Sequence, residues 1–168
     1  VVAWQYGWTM AAFGGLILTA LLIALTFIDA DTQYLPDSLT LPLIWLGLLF
    51  NLNGTFVPLK SAVLGAVFGY MSLWLLCFIY KLLTGKIGLG NGDFKLLAAL
   101  GAWLGAGILP VLVFMAALIG LIGAIIGRVA KGQYFAFGPS LAIAGWIILV
   151  ANEPVHRAVT WWLTKSGF

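Results

Sequence analysis

The length of the apolar runs governs what this chain can become. From roughly Trp8 to Ile28 there is no charged side chain. At about 1.5 Å per residue, a helix of that length crosses a hydrocarbon core of about 30 Å. Five more apolar segments follow. They run roughly from Leu39 to Leu52, interrupted by Pro42, then Pro58 to Leu82, Phe94 to Leu104, Ile108 to Gly127 and Phe137 to Ala151. Charged residues are 8% of the 168, against about 25% in a soluble domain. So few charges cannot clothe a water-facing surface, which excludes a soluble globular protein, a disordered tail and a nucleic-acid-binding module. A membrane barrel is excluded too, because its strands alternate while these runs are continuous. The expected fold is all-α, a polytopic transmembrane helix bundle with about six membrane segments and the lipid bilayer as its solvent. Residues 1–151 form the membrane-embedded core, and 152–168 form a C-terminal tail in which Trp161, Trp162, Arg157 and Lys165 suggest an interfacial piece.

Topology follows from counting crossings. Segments two and three separate the Asp29–Ser38 stretch from the Lys81–Phe94 stretch, so both lie on one side, and the Arg128–Ala136 stretch joins them. That side collects Lys81, Lys86, Lys95, Arg128 and Lys131, against Lys60, Arg157 and Lys165 on the other. The positive-inside rule places the first group in the cytoplasm, with Trp4, Tyr6 and Trp8 as an aromatic belt at the outer end of segment one. The single cysteine, Cys77, lies within an apolar run and reads as a small hydrophobe. The chain opens Val1-Val2-Ala3-Trp4 without an initiator Met or a basic n-region, and reads as the remainder of a longer protein.

Only five acids occur, and four of them, Asp29, Asp31, Asp37 and Asp93, fall in the two polar stretches on one face. Carboxylates at membrane depth are costly unless paired or neutralised. A structural reading is open for three of them. Asp93 suits the N-terminus of the fourth helix, Asp37 or Ser38 suits that of the second, and Asp31 is then an interface residue. Asp29 is different: it ends an apolar helix, where a negative charge opposes the macrodipole, so something must compensate for it. Chemistry offers a reason for such acids. Two carboxylates held within a few ångströms share a proton. The ionised member takes a proton from water as it attacks a peptide carbonyl, and the protonated member donates to the carbonyl oxygen or the leaving amine.

The run Gly85-Lys86-Ile87-Gly88-Leu89-Gly90-Asn91-Gly92-Asp93 permits unusual dihedrals and close backbone approach to a bound peptide. It is not a phosphate loop, because Ile87 stands where Gly-Lys must be followed by Ser or Thr. A dinucleotide fingerprint would need a preceding strand.

These residues resemble a known family. Gly90-Asn91-Gly92-Asp93-Phe94-Lys95 matches the GxGDxK motif of type IV prepilin peptidases, and Asp29 through Leu35-Pro36-Asp37 matches that family's first aspartate block. Lys95 to Trp103 and Phe137 to Ala142 are also similar to family sequence, and the likeness covers roughly residues 4 to 150. The resemblance implies a GxGD-type aspartic endopeptidase of the bacterial inner membrane, multi-pass, with its active site facing the cytoplasm. Such enzymes cut the short basic leader from type IV prepilins and type II secretion pseudopilins after a Gly. Carried over, the catalytic pair is Asp29 and Asp93. Asp31, Pro36, Asp37, Gly90, Gly92 and Lys95 support the site or contact substrate, and no metal is implied there. Cleavage needs no cofactor. Many members also N-methylate the new terminus with S-adenosylmethionine, an activity that reaches this chain by family membership alone. Those members carry an upstream cytoplasmic domain with two Cys-x-x-Cys pairs, so zinc is implied only for that segment.

The remaining features read as structure. His156, the only histidine, lies in the tail on the opposite face. Gly65-x-x-x-Gly69 and Gly101-x-x-x-Gly105 allow close helix packing. The competing functions are another GxGD membrane protease, such as a preflagellin peptidase, and a non-enzymatic transport or assembly subunit. A transporter would carry acids near the midplane and often in repeated halves, unlike this one-sided cluster.

Overall fold

A computed structural model describes residues 9–85, 90–126 and 137–151. The expected aromatic belt at Trp4, Tyr6 and Trp8, the cations Lys86, Arg128 and Lys131, and the tail with Glu153 and His156 lie outside the described residues.

Within them, six α-helices correspond to the six apolar segments: α1 Met10–Thr32, α2 Asp37–Phe50, α3 Leu59–Thr84, α4 Asn91–Leu104, α5 Leu109–Ile126 and α6 Gly138–Val150. Short 3₁₀ turns occupy Asn51–Asn53 and Ala106–Ile108. No strand occurs among the described residues. The spans Met10–Thr32, Leu59–Thr84 and Ala106–Ile125 are long and apolar enough to cross a membrane. Helices α2, α4 and α6 have 14, 14 and 13 residues, about 20 Å each. The outward faces carry Phe13, Phe27, Trp45, Leu83 and Phe114 exposed, the inverse of a soluble surface and fit for lipid. The chain is an all-α membrane bundle.

The short helix α4 is its axis. Every residue from Phe94 to Leu104 except Lys95 is buried, because α2, α3 and α6 surround it. Lipid tails supply no hydrophobic drive between helices, so close packing must hold them together. The glycine spacings provide it: Gly65 of α3 and Gly101 of α4 meet backbone to backbone, and a Cβ on either would strike the other's carbonyl. Gly69 packs against the backbone of Leu97, whose carbonyl oxygen would lie 2.7 Å from a Cβ there. At the C-terminal end of α4, the left-handed Gly105 (φ +87) lets the chain turn beneath Ser61.

A buried polar residue locks that end. Asn51 Nδ2 donates to the carbonyls of Ala102 (2.8 Å) and Trp103 (3.2 Å), two of the orphan acceptors at a helix C-terminus. Its Oδ1 accepts from the amides of Phe56 (2.9 Å) and Val57 (3.1 Å). Trp103 Nε1 donates to Leu43 O at 2.8 Å, and its ring lies over Phe50 and Phe56. With α4 pinned at its far end, its N-terminal turn is fixed at the opposite pole. There the end of α1 and the starts of α2, α4 and α6 converge, as the crossing count requires.

Two expectations about helix ends are corrected. The polar stretch after Ile28 is not a loop from Asp29: α1 continues through Asp31 to Thr32, and Gln33 ends it in a left-handed conformation (φ 53) with its amide on Asp29 O. Asp37 and Ser38 do not cap α2. Pro36 holds the cap position, and its carbonyl accepts from the amides of Leu39 and Thr40. The fixed φ of proline and its lack of an N–H suit that place.

Candidate active site

Asp29 reaches the site by helical periodicity. The buried stripe of α1 is Gly15, Leu18, Leu22, Leu25 and Asp29, a spacing of three and four that keeps one face toward the bundle. The carboxylate therefore occupies a core position, 4% exposed. Its neighbour is the first residue of α6: the Gly138 amide faces the Asp29 carboxylate, and a Cβ on Gly138 would fall onto Oδ2. Among the described residues Oδ2 is buried without a hydrogen-bond partner. Such an oxygen is costly in a silent core.

Asp93 comes from α4. Gly90 is the cap residue and Asp93 stands three positions on, with its amide on Gly90 O at 3.2 Å. Its carboxylate turns back toward the Gly90 amide, the geometry of one half of a capping box. The structural reading of Asp93 is thus realised, and it holds the acid in place rather than using it up. Asp93 is 8% exposed and feels the charge of Asp29. The two acids form one electrostatic unit at one pole of the bundle.

The other sequence-derived positions divide. Asp37 and Lys95 join in an ion pair of 2.6 Å (Nζ to Oδ1), with side chains 51% and 24% exposed. Pro36 starts α2. Gly90 caps α4, and Gly92 touches Leu35, whose Cβ would lie 2.6 Å from a Cβ at 92. The close approach expected there is to the protein's own leucine. Asp31 is exposed on the last turn of α1 and is not drawn into the pair.

Two residues at the site escaped sequence reasoning as site residues. Gly138 entered only as part of the family-like stretch Phe137 to Ala142, with no role of its own. Leu35, 4% exposed, stood in the first aspartate block, but only Asp29, Asp31, Pro36 and Asp37 of that block read as site residues.

A polytopic helical membrane protein with two buried, interacting carboxylates at one pole is what the fold and site define. Comparison with known proteins specifies it further. Residues 16–125 match the type IV leader peptidase family, and the chain belongs to that family. It is 74% identical over 164 residues to a prepilin leader peptidase/N-methyltransferase of Neisseria gonorrhoeae, covering 98% of this chain and 57% of that protein. Identity to the protein of the same description from Pseudomonas aeruginosa is 49%, over 99% of this chain and 58% of the relative. For that of Aeromonas hydrophila it is 55%, over 95% and 54%. The chain thus spans a little over half the length of these curated relatives. No solved structure matches it significantly.

Proposed function

We propose that this chain is the membrane-embedded catalytic part of an aspartic endopeptidase that removes the basic leader of type IV prepilins and type II secretion pseudopilins. The observation that carries the reading is the burial of Asp29 and Asp93 at one pole, close enough that one charge acts on the other. A pair sharing one proton supplies both halves of peptide hydrolysis. The ionised carboxylate takes a proton from the attacking water as its oxygen bonds to the scissile carbonyl carbon. The protonated one donates to the carbonyl oxygen and then, as the C–N bond breaks, a proton passes to the leaving amine. The apparent titrations belong to the pair, so cleavage follows a bell-shaped pH profile.

The acid-bearing pole faces the cytoplasm of the bacterial inner membrane, where the positive-inside rule places the cation-rich side; Lys95 lies at that pole, and Lys81 stands in the last turn of α3. N-methylation with S-adenosylmethionine belongs to the full-length protein. The groove between α1 and α6 sets the hydroxyls of Thr19 and Thr26 beside Leu22, Phe27, Ile143 and Trp146 and carries no charged side chain, a poor fit for a charged nucleoside. Among the described residues no three His, Cys, Asp or Glu side chains lie together; zinc is proposed only for the segment upstream of this chain.

The test is cleavage of a prepilin leader by the full-length protein in detergent, beside Asp29→Asn and Asp93→Asn. Each substitution lowers kcat by at least about 10³-fold, within the range of acid–base catalysis, while the variants stay folded. Cleavage that survives either one removes the dyad. A folded wild type that cleaves nothing supports the assembly-subunit reading.

A further inference from the structure

The end of α1 and the starts of α4 and α6 meet at the acid pair, and one side chain fills the space between them. Leu35 sits in the short link between α1 and α2. A Cβ on Gly92 would lie 2.6 Å from Leu35 Cβ and 3.3 Å from its Cδ1, and a Cβ on Gly138 would lie 3.1 Å from the same Cδ1. Gly92 precedes Asp93 in the chain, and Gly138 touches Asp29. Leu35 is therefore wedged between the segment that carries Asp93 and the first residue of α6, which backs the Asp29 carboxylate. Neither glycine has a side chain that could move aside, so the leucine sets how closely those segments approach. Two residues further on, Asp37 is paired with Lys95, itself two residues past Asp93. The pair fastens the link to the first turns of α4 from the outside.

We propose that Leu35 is the spacer that sets the separation of Asp29 and Asp93, held in register by the Asp37–Lys95 pair. This rests on the dyad reading above and adds to it the residue that tunes the pair. Leu35 touches neither the scissile bond nor the water; it is a positioning residue. Lys95 acts through Asp37, not on substrate. A half-exposed ion pair contributes little to global stability, whereas a displacement of about 1 Å at reacting groups costs about 10²-fold in rate. The two roles therefore separate in measurement.

The experiment compares Leu35→Ala, Leu35→Val, Asp37→Asn, Lys95→Met and the double variant Asp37→Asn/Lys95→Met with wild type, Asp29→Asn and Asp93→Asn, all in the full-length protein. kcat, KM, the pH profile and Tm are read for each. Leu35→Ala lowers kcat about 10²-fold with KM nearly constant. The two limbs of its pH bell move apart, because a smaller spacer lets the two acids close up and couples them more strongly. Leu35→Val shows the same shift to a smaller degree, and serves if the alanine variant fails to fold. Asp37→Asn and Lys95→Met each lower kcat to a similar extent with Tm within a few degrees, and the double variant is no worse than the singles. An unchanged bell for both Leu35 variants overturns the spacer. A strong Lys95→Met effect beside a silent Asp37→Asn overturns the clamp and puts Lys95 on substrate. If Asp29→Asn or Asp93→Asn still cleaves, the dyad itself fails. If both are dead while the Leu35 variants behave as wild type, only the spacer fails.

Discussion

Gly138→Ala separates the cost of folding from the cost to chemistry. The added Cβ would strike Asp29 Oδ2 and lie 3.0 Å from Asp29 Cγ and 3.1 Å from Leu35 Cδ1. The backbone itself accepts alanine, because Gly138 is not among the positive-φ glycines. Alanine in a helix gains up to about 1 kcal/mol over glycine, and overpacking a tight contact costs about 1–3 kcal/mol. The net loss is then at most about 3 kcal/mol, a fall in Tm of up to about 12 °C. The carboxylate cannot stay where it is, and a shift of about 1 Å costs about 10²-fold in kcat. Gly145→Ala is the control on the same helix. Its Cβ would meet the Leu100 side chain, at Cδ2, Cδ1 and Cγ, rather than an acid. Leader cleavage per folded molecule should fall about 100-fold in the first variant and stay near wild type in the second. If Gly138→Ala keeps kcat within about threefold while Gly145→Ala behaves the same, a misplaced carboxylate does not cost what this reasoning assigns to it.

Two further outcomes follow from the same geometry. Asn51→Ala leaves the amides of Phe56 and Val57 without their acceptor. Unfolding should show a loss of about 2–6 kcal/mol, with activity per folded molecule preserved because the site is at the other pole; an unchanged midpoint would refute the lock. Asp31→Asn touches an exposed carboxylate, so stability moves by less than about 0.5 kcal/mol and cleavage stays within about threefold of wild type; a loss as deep as that of Asp29→Asn would put Asp31 into the chemistry.

The helices were legible because lipid demands long uncharged runs, and the pole that gathers the acids was legible because crossings alternate. The acids themselves were legible because they are few. What sequence could not give is how the pole is assembled. The helical continuation through Asp29, Ala30 and Asp31 depends on the left-handed Gln33 that ends it, and a glutamine carries no such signal. Leu35 and Gly138 lie more than a hundred residues apart, and only the fold shows that one closes on the other. Asn51 reads as a turn residue after an apolar run. That it closes the C-terminus of α4, 51 residues away, follows from α4 being the axis, and nothing local in the sequence says so. The run Gly85–Gly92 was read for its freedom; among its described members Gly85 uses it, ending α3 in the left-handed region, while Gly90 caps α4 with an ordinary extended backbone.

The placement of Asp29 at the wrong end of its helix now has a physical answer. Its carboxylate lies one turn from the C-terminus of α1, whose carbonyl end repels a negative charge. Two helix starts face the pair from the other side. α6 brings the Gly138 amide to Asp29, and α4 brings the Gly90 amide to Asp93. Each helix N-terminus stabilises a nearby anion by about 0.3–1 kcal/mol at a surface and up to about 2 kcal/mol when partly buried. Two such ends outweigh one opposed end, so a single negative charge is supported at this pole. A second is not: the two acids act on each other, and Asp29 Oδ2 has no partner of its own among the described residues. One charge and one proton shared between two carboxylates is the state that hydrolysis of a peptide bond requires at its start. In the proposed dyad, the helix N-termini of α4 and α6 would favour that state.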